Sequence, residues 1–207
     1  MYNAAHHVVF AWSLALVSLL ALPSCVDSVD ELGTDEAALL SCACPAETPA
    51  VLAPPPNQSL AFVLDAIGVQ RYACNATATG AAWTLVAPIA NLLNNGLAAG
   101  THYAGPTWAV NDGSTVVGAR VQGATINDTA IPWLLLSATD HGGTWLGAVS
   151  DVTSIQRLST TGGLAPTTGC DAGLLGATVD VPYTAKYFFY RTSILLPQLN
   201  TRCGATP

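Results

Sequence analysis

The stretch His102-Tyr103-Ala104-Gly105-Pro106-Thr107-Trp108 continues through Ala109-Val110-Asn111 to Asp112-Gly113-Ser114. An imidazole, a phenol, an indole and a carboxylate thus fall within thirteen residues around a Gly-Pro corner. Aromatic faces stack on sugars and other planar ligands, and imidazole and carboxylate groups orient such ligands by hydrogen bonds. Trp133, Asp140, His141 and Trp145 form a second grouping of the same kind, and the two together could line one pocket. The candidate ligand-binding residues are therefore His102, Tyr103, Trp108, Asp112, Trp133, His141 and Trp145. A plainer reading stands beside this one, in which the tryptophans anchor a core and His102 satisfies a buried carbonyl.

Catalytic signatures are scarce. His102 and Asp112 could form an acid–base pair of a hydrolase, but no Gly-x-Ser-x-Gly elbow supplies a nucleophile, and Ser114 follows Asp-Gly as a turn residue would. The two histidines outside the first ten residues show no His-x-His or His-Glu-x-x-His spacing, so no metal site is assigned. Residues 58–207 contain no glutamate, a thin supply for glycoside cleavage by paired carboxylates. No catalytic residue and no cofactor is assigned. Arg157, beside Gln156 and followed by Asp171, is expected to form a structural ion pair that fixes a long loop.

The elements that would position these groups are mostly strands. Apolar and polar residues alternate in Ile67–Cys74, with Ile67, Val69, Arg71 and Ala73 facing one way and Gln70, Tyr72 and Cys74 the other. Ser59–Leu64, Ala82–Ala87, Thr107–Val110, Ser114–Val121, Ile131–Ser137, Thr144–Val149, Val152–Leu158 and Thr178–Tyr190 also have strand character. Pro88–Leu93 looks like one helical turn with proline at its start. Thr160–Gly169 is an extended loop. About nine short strands at hairpin-like spacing, with one or two helical turns, predict an all-β fold: a mainly antiparallel sandwich or barrel.

Of the 207 residues, 51% are hydrophobic and 9% charged, with 18 glycines and 13 prolines, which suits one turn-rich domain with a sizeable core. The net charge of −7 is concentrated: Asp27, Asp30, Glu31, Asp35, Glu36 and Glu47 lie in a tail without Lys or Arg. The rest of the chain is near neutral, so no basic patch exists for nucleic acid. Val8–Leu22 is apolar but shorter than the ~20 residues of a membrane span, and it fits the core of an export signal. It leads into Leu22-Pro23-Ser24-Cys25, which resembles a lipobox and implies cleavage before Cys25 and acylation there. The expected organisation is a leader over 1–24, a lipid-anchored acidic and Pro-rich tether over 25–57, and a β domain over 58–207. An ordinary secretory signal is the alternative, and the membrane would be met through the lipid anchor alone. Asn57, Asn75 and Asn127 begin glycosylation sequons, which have meaning only in a host that glycosylates them.

Export implies an oxidising compartment and hence disulfides. With Cys25 acylated, Cys42, Cys44, Cys74, Cys170 and Cys203 remain. Cys74–Cys170 is expected inside the domain, and Cys42 or Cys44 is expected to bridge to Cys203.

Several ordered motifs carry a resemblance. They are Gly68-Val-Gln-Arg-Tyr-Ala-Cys74, His102–Trp108 with Asp112-Gly-Ser114, and Ile131-Pro-Trp-Leu-Leu-Leu136. Ile155–Gly163, Ala165-Pro166, Gly169-Cys-Asp171 and Tyr183–Tyr190 follow. Over roughly residues 55–191 the chain resembles the domain of unknown function 3455, found in exported bacterial and fungal proteins. The resemblance implies domain limits and no activity. Some fungal relatives carry a dehydrogenase label, but this chain has no Gly-x-Gly-x-x-Gly turn for a dinucleotide. The leading expectation is an exported, non-enzymatic module that binds a small or carbohydrate-like ligand. A hydrolase using His102 and Asp112, or a surface structural protein without a ligand, are the alternatives.

Overall fold

The computed structural model describes residues 44, 45, 47–193 and 202–204. The expected leader, Cys25, Cys42 and the tether as far as residue 43 lie outside the described residues. Eight strands follow in order: β1 (Gln58–Thr77), β2 (Gly80–Asn94), β3 (Leu97–Tyr103), β4 (Thr107–Val110), β5 (Ser114–Ala124), β6 (Trp133–Gly143), β7 (Val152–Gly162) and β8 (Thr178–Thr192). Each pairs antiparallel with the next, and β8 returns to β1, so the sheet closes into a barrel. Closure removes the exposed edges that an open sheet must protect.

The all-β expectation holds, with eight strands in place of about nine. Ser59–Leu64 and Ile67–Cys74 merge into one twenty-residue strand, β1. Pro88–Leu93 is not a helical turn but part of β2. The proline is tolerated there because β3 pairs with β2 only over Ala90–Asn94, so the earlier half of β2 has a neighbour on one side only. Thr144–Val149 is not a strand. It makes successive turns, with Gly147 N–H donating to Thr144 O and Ser150 N–H to Gly147 O. Asp112 and Ser114 accept further backbone N–H groups from this loop, so it needs no ladder partner.

Alternation along β8 divides the core. Tyr183, Ala185, Tyr187 and Phe189 join Leu64, Leu92, Trp108, Val116 and Ile155, contributed from strands all around the barrel. This cluster fills the lumen. Phe188 and Tyr190 face the other way and pack with Leu60, Trp133, Leu135 and Leu158 on the outer wall. Leu52, from the 3-10 turn Ala50–Leu52, and Cys203 cover that outer cluster. The last residues of the expected tether are therefore packed onto the barrel, and Cys44–Cys203 fastens them there. Gln156, fully buried, donates its amide to Leu52 O at 2.6 Å and Cys203 O at 3.0 Å, and accepts from Tyr190 Oη at 2.6 Å.

The second bridge, Cys74–Cys170, forms as expected. It holds the loop between β7 and β8 against β1, where Cys74 N–H donates to Ala177 O and Gly176 N–H to Cys74 O. Tyr72 Oη reaches across to Gly163 O at 2.6 Å in the same region.

Candidate functional site

Two ladders are incomplete. Before Ala90, β2 has no β3 partner, and β6 pairs with β7 over Leu134–Ser137 only. The missing β2–β3 ladder matters most. Leu85, Val86, Ala87 and Pro88 from that half of β2, with Gly105 and Pro106 from the β3–β4 turn, border a cavity of about 250 Å³. Val86 sits at a bulge, since Arg71 pairs with Ala87 and Tyr72 with Leu85. Such an extra residue bends a strand and re-aims its neighbours.

Arg120 stands at the exposed rim, and further in the cavity meets Gln70, His102, Trp108, Leu134, Leu136, Arg157 and Tyr187. His102 and Trp108 are directly paired across β3 and β4. Their rings stack with centroids 4.5 Å apart, and Tyr187 meets both edge-on at 4.9 and 5.2 Å. The imidazole is 3% exposed and its Nδ1 lies 2.8 Å from Thr107 O. A carbonyl can only accept, so Nδ1 carries the proton. Burial, aided by the nearby Arg157 charge, pushes the His102 pKa down to about 3, so the ring is neutral at ordinary pH.

Two polar atoms at this cavity have no protein partner. They are Gln70 Nε2 and Trp108 Nε1, on side chains only 2% and 1% exposed. An indole N–H can only donate, and a buried donor left unmade costs about 1–3 kcal/mol. Arg157 enters from β7 on the face opposite to Gln156, because neighbours on a strand point to opposite sides. It forms no ion pair with Asp171. Its Nε and Nη2 donate instead to Pro132 O at 3.2 and 2.8 Å, while Asp171 accepts from Gly173 N–H in its own turn. Burial raises the Tyr72, Tyr183 and Tyr187 phenols above their ordinary range, with Arg157 acting in the opposite sense, so they too remain protonated donors.

The remaining candidates are dispersed. Tyr103 closes β3 and is exposed. Trp133 is buried in the outer-wall cluster, on the opposite side of the sheet from the cavity. Asp112 is a turn-builder whose Oδ1 accepts from Ser114 N–H and Oγ–H and whose Oδ2 accepts from Ala148 N–H at 2.6 Å. These bonds, that of the Ser114 hydroxyl foremost, hold its carboxyl below the usual range. It shares no hydrogen bond with His102, so the acid–base pair of the hydrolase alternative does not form. His141 and Trp145 border a separate recess with Gly142, Gly143, Thr144 and Ser150. There His141 Nε2 donates to Val152 O, and Trp145 is 82% exposed. Among the described residues no group of three His, Cys, Asp or Glu could hold a metal ion.

Sequence reasoning missed Gln70, Arg120 and the Leu85–Pro88 wall. Gln70 carried a signal, because it shares the Tyr72 and Cys74 face of β1, and that face is the lumenal one.

Comparison with protein families agrees with the ordered motifs from His102 onward, while Gly68–Cys74 lies outside the match. Residues 94–191 match the family described as protein of unknown function (DUF3455). This is the family those motifs resemble. The matched DUF3455 segment runs from the end of β2 to the end of β8 and contains His102, Trp108, Arg120, Arg157 and Tyr187, while Gln70 and Leu85–Pro88 precede it. No curated protein and no solved structure matches the chain.

Proposed function

We propose that this barrel is an exported, non-enzymatic module that binds a small molecule in the cavity between β2 and the β3–β4 turn. One observation carries the reading: Gln70 Nε2 and Trp108 Nε1 are deeply buried at the cavity and lack partners. Buried polar groups in folded proteins are almost always satisfied, and a ligand would satisfy these two. His102 supplies a rigid stacking partner for Trp108 rather than an acid or base. Thermal-shift screening of the full-length chain against glycans and small metabolites tests the reading. A ligand should raise the melting temperature of the native protein, and Ala87→Phe, which fills the cavity, should remove that shift. Stabilisation that persists in Ala87→Phe would place the ligand elsewhere.

Export and lipid anchoring belong to the same proposal. Two disulfides in the described residues are consistent with an oxidising compartment. The Cys25 anchor and the acidic stretch before Cys44 would hold the barrel clear of a membrane surface. Metabolic labelling with a palmitate analogue should mark the native chain and fail on Cys25→Ser; equal labelling of both removes the anchor from the proposal.

A further inference from the structure

We infer that the cavity takes a small amphipathic carboxylate, with the headgroup at Arg157 and Arg120 and an apolar body along β2 and β6. The inference rests on the binding reading above and adds the chemical class of the ligand.

The charge pattern is the first argument. The chain has six Lys and Arg residues in all. Among the described residues three are paired with carboxylates, Arg71 with Asp180, Lys186 with Asp65 and Arg191 with Asp151, while Arg202 donates to Pro54 O away from the cavity. Arg120 and Arg157 are not paired with a carboxylate among the described residues, yet both border the same cavity. No Asp or Glu lines it. Arg157 is partly buried and makes do with a carbonyl, Pro132 O. A guanidinium in such surroundings gains far more from a carboxylate, which it can meet by two parallel bonds.

The polarity of the unmatched groups is the second argument. The indole N–H of Trp108 and the amide N of Gln70 are donors without partners, and the guanidiniums are donors too. A sugar hydroxyl can accept from this set, but each brings its own O–H donor, for which these groups offer few acceptors. A carboxylate is acceptor-only and suits this set. The neutral imidazole of His102 adds no charge, so the positive field comes from the two arginines alone.

Shape supplies the third. Leu85, Val86, Ala87, Pro88, Leu134 and Leu136 form the apolar part of the wall. A cavity of about 250 Å³ falls just below the ~300–1,000 Å³ of pockets for drug-sized ligands, so one short acyl chain or one ring fits.

Titration calorimetry on the full-length chain, with tryptophan emission as a second readout, tests this. The probes are octanoate and phenylacetate, their alcohols octan-1-ol and 2-phenylethanol, and octyl phosphate. The carboxylates should bind about tenfold or more tightly than the alcohols, as expected for a charge-assisted pair. Arg157→Gln should abolish that preference and leave alcohol binding in place. Arg120→Gln, a change on the exposed rim that leaves the core untouched, should weaken carboxylate binding in the same sense. Alcohols that bind as tightly as carboxylates, with neither arginine variant having an effect, would overturn the carboxylate assignment and leave the binding reading standing. Tighter binding of octyl phosphate than of octanoate would overturn the headgroup alone. Failure of every probe to bind the native protein would overturn this inference, while a hit among the screened glycans and metabolites would keep the broader reading.

Discussion

The imidazole of His102 lies flat against the indole of Trp108, 15° from parallel, and neither ring reaches solvent. The two residues that look most like a binding corner in the sequence are in fact a buried cross-strand pair at the inner wall of a cavity open to solvent. Trp108 also meets Phe189 edge-on, and Phe189 stacks on Phe62, so the pair joins a chain of aromatic contacts across the lumen. Each such contact adds about 0.5–1.5 kcal/mol to the burial of the rings.

His102 makes stability depend on pH. Its pKa is pushed down to about 3 by burial, against about 6.5 in an unfolded chain. The unfolded state therefore binds a proton between those values while the native state does not. The contribution is fully present above pH 6.5 and is lost as pH falls toward 3, at up to about 1.4 kcal/mol per pH unit. Carboxylates complicate the lower part of that window, so pH 5–6.5 isolates the imidazole. Urea unfolding across that interval should show the midpoint falling with acidity in the native protein and staying nearly level in His102→Phe.

Gln156 ties the outer wall to both ends of the described chain. Gln156→Leu strands the carbonyls of Leu52 and Cys203 and leaves the Tyr190 O–H without its acceptor, though Tyr190 Oη still accepts from Cys203 N–H. The expected cost is on the order of 3 kcal/mol, since each stranded buried group costs about 1–3. Tyr190→Phe made together with Gln156→Leu should cost less than the two separate losses combined, because they share one network. Chemical denaturation of the three variants measures this. By contrast, Arg71→Gln removes an exposed pair with Asp180 and should leave the unfolding midpoint almost where it was.

The two disulfides should differ in what their loss releases. Cys74 and Cys170 are 96 residues apart, and constraint of a loop near 100 residues stabilises a fold by about 4–5 kcal/mol in the chain-entropy account. Replacing both by serine should lower the melting temperature strongly and free the β7–β8 loop. Replacing Cys44 and Cys203 should instead expose the segment around Leu52. Brief proteolysis read by mass spectrometry should cut near residues 165–175 in the first variant and near residues 47–57 in the second.

Glycine at position 68 is a steric requirement. A methyl group there would stand 2.1 Å from Ile89 O and 2.5 Å from Ala90 Cα, both on the facing backbone of β2. Gly68→Ala should force β1 and β2 apart next to the cavity, and the expected loss is about 1–3 kcal/mol, as for other overpacked sites. A thermal melt of the variant checks it, and normal stability would mean that the strands yield easily at that point.

What could be read directly from the sequence is what depends on near neighbours. Alternation in Ile67–Cys74 and turn residues at Asn111-Asp112-Gly113 report local constraints, and the five cysteines left with Cys25 set aside imply bridges in an exported chain. They sufficed for the all-β class, most strand positions and the Cys74–Cys170 bridge. Pro88 misled because proline normally marks a helix start or a strand edge, and an edge inside a closed barrel is invisible along the chain. The cavity arises from two long-range facts, the register that ends β3 opposite Ala90 and the bulge at Val86. Likewise, the pattern pairs Gln70 with Tyr72 and Cys74, but closure of β8 on β1 decided that their side faces the lumen. A sheet has two sides, and which of them becomes the interior is settled only when the strands close on themselves.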